Sequence, residues 1–300
     1  MRETVVIPSC HRPELLALCL LALSGAPDCP EVHIYADTAA KIDEIEYVRD
    51  QYFPTATIFH AKPHISAPSG CWNILNSIKE GAKWADAVYI VEEDVRIYPE
   101  TFFEWHRSRP EAASCGRRML THPNFPYYTN PGSLLRRPLL DALLPHIRDE
   151  YFADTVAYCE ENFPPADWTS TLDDGLIRRV LTQAGFDWHI PEKAVCAHQG
   201  FRNYNKLDIF MNEGTDVEER IGRFLQLCEF IPNATDPRFK RYAADFEPFN
   251  PSSSTVLLGP GNPSPCQSLG ISSSPTGTPR RKSSNRARTR QAGESRSGRG

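Results

Sequence analysis

Three consecutive carboxylates, Glu92, Glu93 and Asp94, follow directly on the apolar run Ala87-Val88-Tyr89-Ile90-Val91. The apolar run reads as a buried strand, so the acids stand at its carboxyl end. Adjacent carboxylates repel one another, and burying them unpaired is costly. A hard divalent cation removes the conflict, because Mg²⁺ and Mn²⁺ take oxygen ligands, commonly one or two carboxylates plus the oxygens of a bound phosphate. Residues two apart in an extended segment point the same way, so Glu92 and Asp94 can share a face. The alternative for these three acids alone is a solvated acidic turn. A second acidic pair, Asp173-Asp174, precedes Leu176, Ile177, Val180 and Leu181, the apolar spacing of a helix. Acids there complement the helix dipole and cap its free amides. Equally, one of them could take a proton from an attacking hydroxyl. His198 closes the apolar stretch 193–197, where a lone histidine is usually a satisfied core residue.

The elements that must position these residues alternate. Thr4 to Ile7 reads as a strand ending at Pro8. Pro13 opens a leucine-rich helix with Gly25 as its cap. Strands follow at 32–36, 56–59 and 87–91, and helices at 41–51 and 70–79, the last with Trp72, Leu75 and Ile78 on one face. This order predicts an α/β fold with a mainly parallel sheet flanked by helices. In such sheets ligands bind beyond the carboxyl ends of the strands. Glu92, Glu93 and Asp94 are placed there.

Composition sets the remaining bounds. The chain has 300 residues, 40% of them hydrophobic and 24% charged, as in a soluble globular protein. No apolar run approaches the roughly 20 residues of a membrane-spanning helix. The nine cysteines are dispersed with no Cys-x-x-Cys pair, which argues against a disulfide framework and against structural zinc at Cys196-Ala197-His198. The protein is therefore expected to be cytoplasmic. From Arg280 onward eight basic residues face Glu294 alone, a charge of +7, so the total of −5 leaves −12 for the rest. An acidic body disfavours nucleic acid as a partner. Residues 250–300, rich in Ser, Pro, Gly and Arg, are expected to be a disordered tail.

The segments Val5-Val6-Ile7-Pro8-Ser9-Cys10-His11-Arg12-Pro13, Glu92-Glu93-Asp94-Val95, Asp173-Asp174-Gly175 and Ala197-His198-Gln199-Gly200 occur in an order and spacing that resembles the GT-A-fold glycosyltransferases, particularly the family 2-like group. The resemblance covers roughly residues 3–205. It implies a nucleotide-sugar half over 1–100 and an acceptor half over 101–249. It also implies that Asp94 is the direct ligand of Mn²⁺ or Mg²⁺, with Glu92 or Glu93 supporting it and His198 as a further metal or diphosphate ligand. Asp37 would bond the nucleobase or ribose, and Pro8 and Arg12 would lie at the donor. Asp174 would be the general base of an inverting transfer to an acceptor hydroxyl, with Asp173 beside it. Trp168, Tyr127 and Tyr128 are candidates to stack on the acceptor sugar or to be core. The chain departs from the family pattern in having His11 before the arginine, Glu-Glu-Asp in place of Asp-x-Asp, and Asp37 without a second acid. Two rivals stand beside this reading. A nucleotidyltransferase ordinarily relies on a Gly-rich phosphate loop, and Ser9-Cys10-His11-Arg12 has no glycine. A non-catalytic binding module on the same fold is the other.

Overall fold

The computed structural model describes residues 1–10, 12–37, 41–60, 69–116, 128–165, 170–198 and 216–230. The tail expected from residue 250 on lies outside them. Among the described residues, every element expected over the first ninety positions is present. They are β1 (Glu3–Ser9), α1 (Pro13–Ser24), β2 (Glu31–Ala36), α2 (Ile42–Tyr52), β3 (Thr57–His60), α3 (Ser69–Gly81) and β4 (Ala87–Ile90). The later part brings β5 (Val95–Ile97), α4 (Phe102–Arg107), β6 (Ala113–Cys115), β7 (Ser133–Arg136) and α5 (Arg137–Leu143). It continues with α6 (Asp149–Ala153), α7 (Thr155–Asn162), α8 (Asp173–Ala184), β8 (Trp188–His189), β9 (Cys196–His198) and α9 (Val217–Phe230).

Seven strands form one sheet in the order β3-β2-β1-β4-β7-β6-β8, and β5 pairs with β9 in a separate ribbon. The pairs β3-β2, β2-β1, β1-β4 and β6-β8 are parallel, while β7 runs antiparallel to both of its neighbours. The sheet is thus the mainly parallel, helix-flanked sheet that the alternation of elements predicts.

Period-2 alternation sends side chains of one strand into two cores. Val5 and Ile7 of β1, Tyr89 of β4 and Leu134 of β7 join the core built with α1 and α4. Val6, Val88, Ile90 and Leu135 join the other, with Leu75 and Ile78 of α3, Leu139 and Leu140 of α5, and Leu176 and Ile177 of α8. Strands buried on both faces read as continuous apolar runs, which is why β1 and β4 stand out in the sequence.

The sheet opens where β1 meets β4. Their pairing runs from Glu3↔Ala87 to Val6↔Ile90, and the Val91 amide still donates to the Val6 carbonyl. The next donor on that side of β1 would be residue 8. Proline has no N–H to give, so the ladder stops there. On the other side β1 continues to pair with β2 as far as Ser9↔Ala36. The result is a crevice at the carboxyl ends of β1 and β4, at the point where the chain switches from building the sheet in one direction to building it in the other.

Candidate active site

The crevice holds a cleft of about 220 Å³ lined by Pro8, Ser9, Cys10, Arg12, Asp37, Gly70, Asn73, Ile74, Glu92 and Glu93. The three consecutive acids take three different places around it. Glu93 is 2% exposed and fully engaged: it accepts from Ser9 Oγ at 2.7 Å, the Cys10 amide at 2.9 Å and Arg12 Nε at 2.6 Å. It therefore fastens the end of β4 to the end of β1. Arg12 bridges onward, with Nη1 2.9 Å from Asp94 Oδ2. Burial pulls against the charge on this guanidinium, but Glu93 and Asp94 outweigh it and raise its pKa.

Asp94 is buried, and its second oxygen is differently placed. Oδ1 lies 3.2 Å from His198 Nε2 and has no hydrogen bond of good geometry among the described residues. Burial pushes the Asp94 carboxyl up, yet the proximity of His198 and Arg12 prevails and holds it below the ordinary range. Enclosure, followed by the charges of Asp94 and Asp173, pushes the Glu92 carboxyl well above that range. One ligand atom from each of Glu92, Asp94 and His198 lies within 4.8 Å of the others. Two carboxylate oxygens and an imidazole nitrogen suit a Mn²⁺-type ion. The buried Oδ1, beside His198 Nε2, is the atom such an ion would share with that imidazole, so these residues fit a divalent cation.

His198 reaches this place through strand pairing. In the ribbon β5-β9 the register is Val95↔His198 and Ile97↔Cys196, which brings His198 alongside the residue after Asp94. The approach depends on Gly132, whose φ is +68° and whose missing Cβ would collide with the Cys196 sulfur. A side chain at residue 132 would push β9, and His198 with it, away from Asp94.

Asp173 and Asp174 open α8. Asp174 Oδ1 accepts from Ser170 Oγ at 2.9 Å and from the Gly175 amide at 2.7 Å, so one oxygen of this carboxylate is anchored to the helix start. The turn 170–175 closes tightly: a Cβ on Gly175 would run into the Ser170 carbonyl. Asp173 Oδ2 accepts from Asn130 Nδ2. Burial and then the charge of Asp174 push the Asp173 carboxyl up to about 7. Both acids are near enough to the strand end that their charges help to raise Glu92.

The raised carboxyl of Asp173 has a consequence for stability. Its proton binds more tightly in the folded chain than in the unfolded one. Its ionisation therefore counts increasingly against the fold as pH rises from the ordinary carboxylate range, until the folded group itself ionises near 7. Asp173→Asn cannot ionise and still accepts from Asn130. Its melting temperature is expected to exceed that of the wild type by a margin that grows from about pH 5 to about pH 7 and then levels off. Melting curves across that range test this, and a pH-independent or negative margin contradicts it.

The other expected site residues are distributed as follows. Asp37 is buried at the end of β2 on the cleft wall, its amide donating to the Ser9 carbonyl at 2.7 Å. Pro8 and Arg12 line the same cleft. Tyr128 belongs to the core: it is 2% exposed, and its hydroxyl is 2.9 Å from Ser133 Oγ. A ring enclosed in this way offers no face to a sugar, so acceptor stacking is withdrawn for Tyr128. Trp168 and Tyr127 lie outside the described residues. Sequence reasoning passed over Asn130 and Asn73. Asn73 had a signal, being an amide beside the apolar face of Trp72, Leu75 and Ile78, whereas nothing in the sequence points to Asn130.

No protein-family model matches the chain, and neither does any curated protein. Among solved structures, TarS 1-349 of S. aureus is 15% identical, with 91% of this chain and 76% of that one covered and a TM-score of 0.41. Glucosyl-3-phosphoglycerate synthase from Mycobacterium tuberculosis, in complex with Mn²⁺, UDP and phosphoglyceric acid, is 14% identical over 75% of this chain and 78% of that one, at a TM-score of 0.44. The mannosyltransferase PcManGT from Pyrobaculum calidifontis, in complex with GDP-Man and Mn²⁺, is 12% identical over 86% and 84%, also at 0.44. Likenesses this distant do not assign an activity, which must come from the chain's own residues.

Proposed function

We propose that the chain is a metal-dependent glycosyltransferase. It moves a sugar from a nucleoside-diphosphate sugar to an acceptor hydroxyl, with inversion at the sugar carbon. The observation that carries this reading is the grouping of the buried Asp94 Oδ1 with one ligand atom each from Glu92 and His198, just beyond the carboxyl end of β4. Asp94 and His198, with Glu92, would hold Mn²⁺ or Mg²⁺, which when bound neutralises charge developing on a departing diphosphate. Arg12 orients Asp94 by holding its other oxygen. Glu93 keeps the ends of β1 and β4 in register through Ser9, Cys10 and Arg12. Pro8 and Asp37 form the wall on which the nucleoside lies. The acceptor oxygen bonds to the anomeric carbon as the bond from that carbon to the diphosphate oxygen breaks, and Asp174 takes the hydroxyl proton. Its Oδ1 is anchored by Ser170 and Gly175, which orients the carboxylate for that task. Residues 1–100 supply the donor site in this reading, and residues 101–249 supply the base and the acceptor side. No helix among the described residues is long and apolar enough to cross a membrane.

A melting-temperature panel tests the proposal. Nucleoside-diphosphate sugars should stabilise the protein in the presence of Mn²⁺ and not in excess chelator, since a ligand that binds the folded state raises its apparent stability. Slow release of free sugar from the stabilising donor should accompany it. Stabilisation by nucleoside triphosphates with sugar phosphates, and by no nucleoside-diphosphate sugar, would instead identify a nucleotidyltransferase. Stabilisation with no turnover would identify a binding module.

A further inference from the structure

Asn73 stands on α3 with its side chain 3% exposed, against the tips of the two strands that form the donor wall. Its Nδ2 donates to the Tyr35 carbonyl at 3.0 Å and to the Ser9 carbonyl at 3.2 Å. Those residues end the β1-β2 ladder, where Pro8 pairs with Tyr35 and Ser9 with Ala36. Both amide hydrogens are thereby used. Turning the carboxamide over would set Oδ1 against two carbonyl oxygens, so the orientation is fixed. Oδ1 is left buried and, among the described residues, without a hydrogen-bond partner. Among the described residues that line the cleft, Asn73 is the one whose side chain carries such an atom. A buried acceptor in that state costs free energy until something donates to it.

The chemistry of the wall decides what can donate. Oδ1 accepts and does not donate. A phosphate oxygen has no hydrogen to offer Asn73, whereas the hydroxyls of a ribose and the ring N–H of a nucleobase do. Building on the nucleotide-sugar reading above, we infer that Asn73 binds the nucleoside of the donor: Oδ1 accepts one hydrogen bond from a ribose O–H or a base N–H, while Nδ2 holds the tips of β1 and β2 in place to receive it.

Calorimetric titration of the full chain with UDP, GDP, ADP and CDP in Mn²⁺, and with pyrophosphate in Mn²⁺, tests this. Asn73→Ala is expected to weaken the tightest nucleoside diphosphate by about tenfold, the usual scale of one lost hydrogen bond, and to leave pyrophosphate unchanged. The 2′-deoxy form of that nucleotide and the form methylated at the base N–H then identify the source. In the wild type one of them loses about tenfold, and in Asn73→Ala that loss disappears because the partner is already gone. Equal weakening of pyrophosphate overturns the inference, since Asn73 then acts only through the strand tips. Unchanged nucleotide binding by Asn73→Ala overturns it too. Should the variant fail to fold, the wild type alone decides: if neither modified nucleotide binds more weakly, no nucleoside donor reaches Oδ1. A wild type that binds none of the four nucleotides removes the donor reading itself, a failure separate from that of Asn73.

Discussion

Asp174→Asn, assayed at saturating donor, is expected to slow transfer by about a hundredfold to ten-thousandfold, the usual scale for loss of a general base. Donor and metal affinity should stay near those of the wild type. The substitution is informative because it preserves what the structure shows Asp174 doing. An asparagine oxygen still accepts from Ser170 Oγ and from the Gly175 amide, so the start of α8 keeps its bonds. Only the capacity to accept a proton is removed. A base acts on the transition state more than on the bound substrate, so the loss belongs in kcat and not in donor binding. Asp173→Asn keeps its bond from Asn130 and should show the milder defect. If the two rates come out reversed, Asp173 is the base, and its carboxyl, pushed up to about 7, is well matched to that task. If neither variant slows transfer and both alter only the melting temperature, the pair serves the helix alone.

The second large effect is expected at Asp94. Asp94→Ala removes a proposed cation ligand together with the oxygen that receives Arg12 Nη1, while Arg12 keeps Glu93 through Nε. The strand ends therefore remain fastened by Glu93, Ser9 and Cys10. Stabilisation by Mn²⁺ with donor should vanish, and transfer should fall by at least about a hundredfold, because even residues that merely support a metal ligand commonly cost ten- to a hundredfold. His198→Ala should give the same loss, since its Nε2 stands 3.2 Å from Asp94 Oδ1. Donor binding and full activity in excess chelator would remove the metal from the mechanism.

The first four strands and three helices could be read from the sequence because each is a run of apolar and β-branched residues or an apolar stripe, bounded by proline, glycine or a polar break. β1 and β4 are buried on both faces, so nothing interrupts their apolar runs. β6 and β8 were harder, at two or three residues each, too short for a period to register. The site was readable in part for a similar reason. Three acids after a buried strand violate the local pattern, and that violation marks position 92–94. Their division of labour was not readable. Glu93 is held by Ser9, Cys10 and Arg12, residues more than eighty positions away, and only the folded chain brings them together. The same holds for Tyr128, whose enclosure by the second core depends on helices that follow it in the chain.

The join between β4 and β7 bears on how the chain can be divided. The proposed donor half ends shortly after β4, yet β4 is a central strand, hydrogen-bonded to β1 on one side and to β7 on the other. Its four pairs with β7, from Ala87↔Arg136 to Ile90↔Ser133, cross the boundary near residue 100. A fragment ending there would leave β4 with a row of free amides and carbonyls, flanked by the uncovered apolar side chains Val88, Tyr89 and Ile90. An edge of that kind recruits other strands, including those of its own copies. The two proposed halves thus share one sheet and are not modules that could be exchanged or expressed apart. Any swap of acceptor specificity within this fold has to leave Ser133–Arg136 in register with β4.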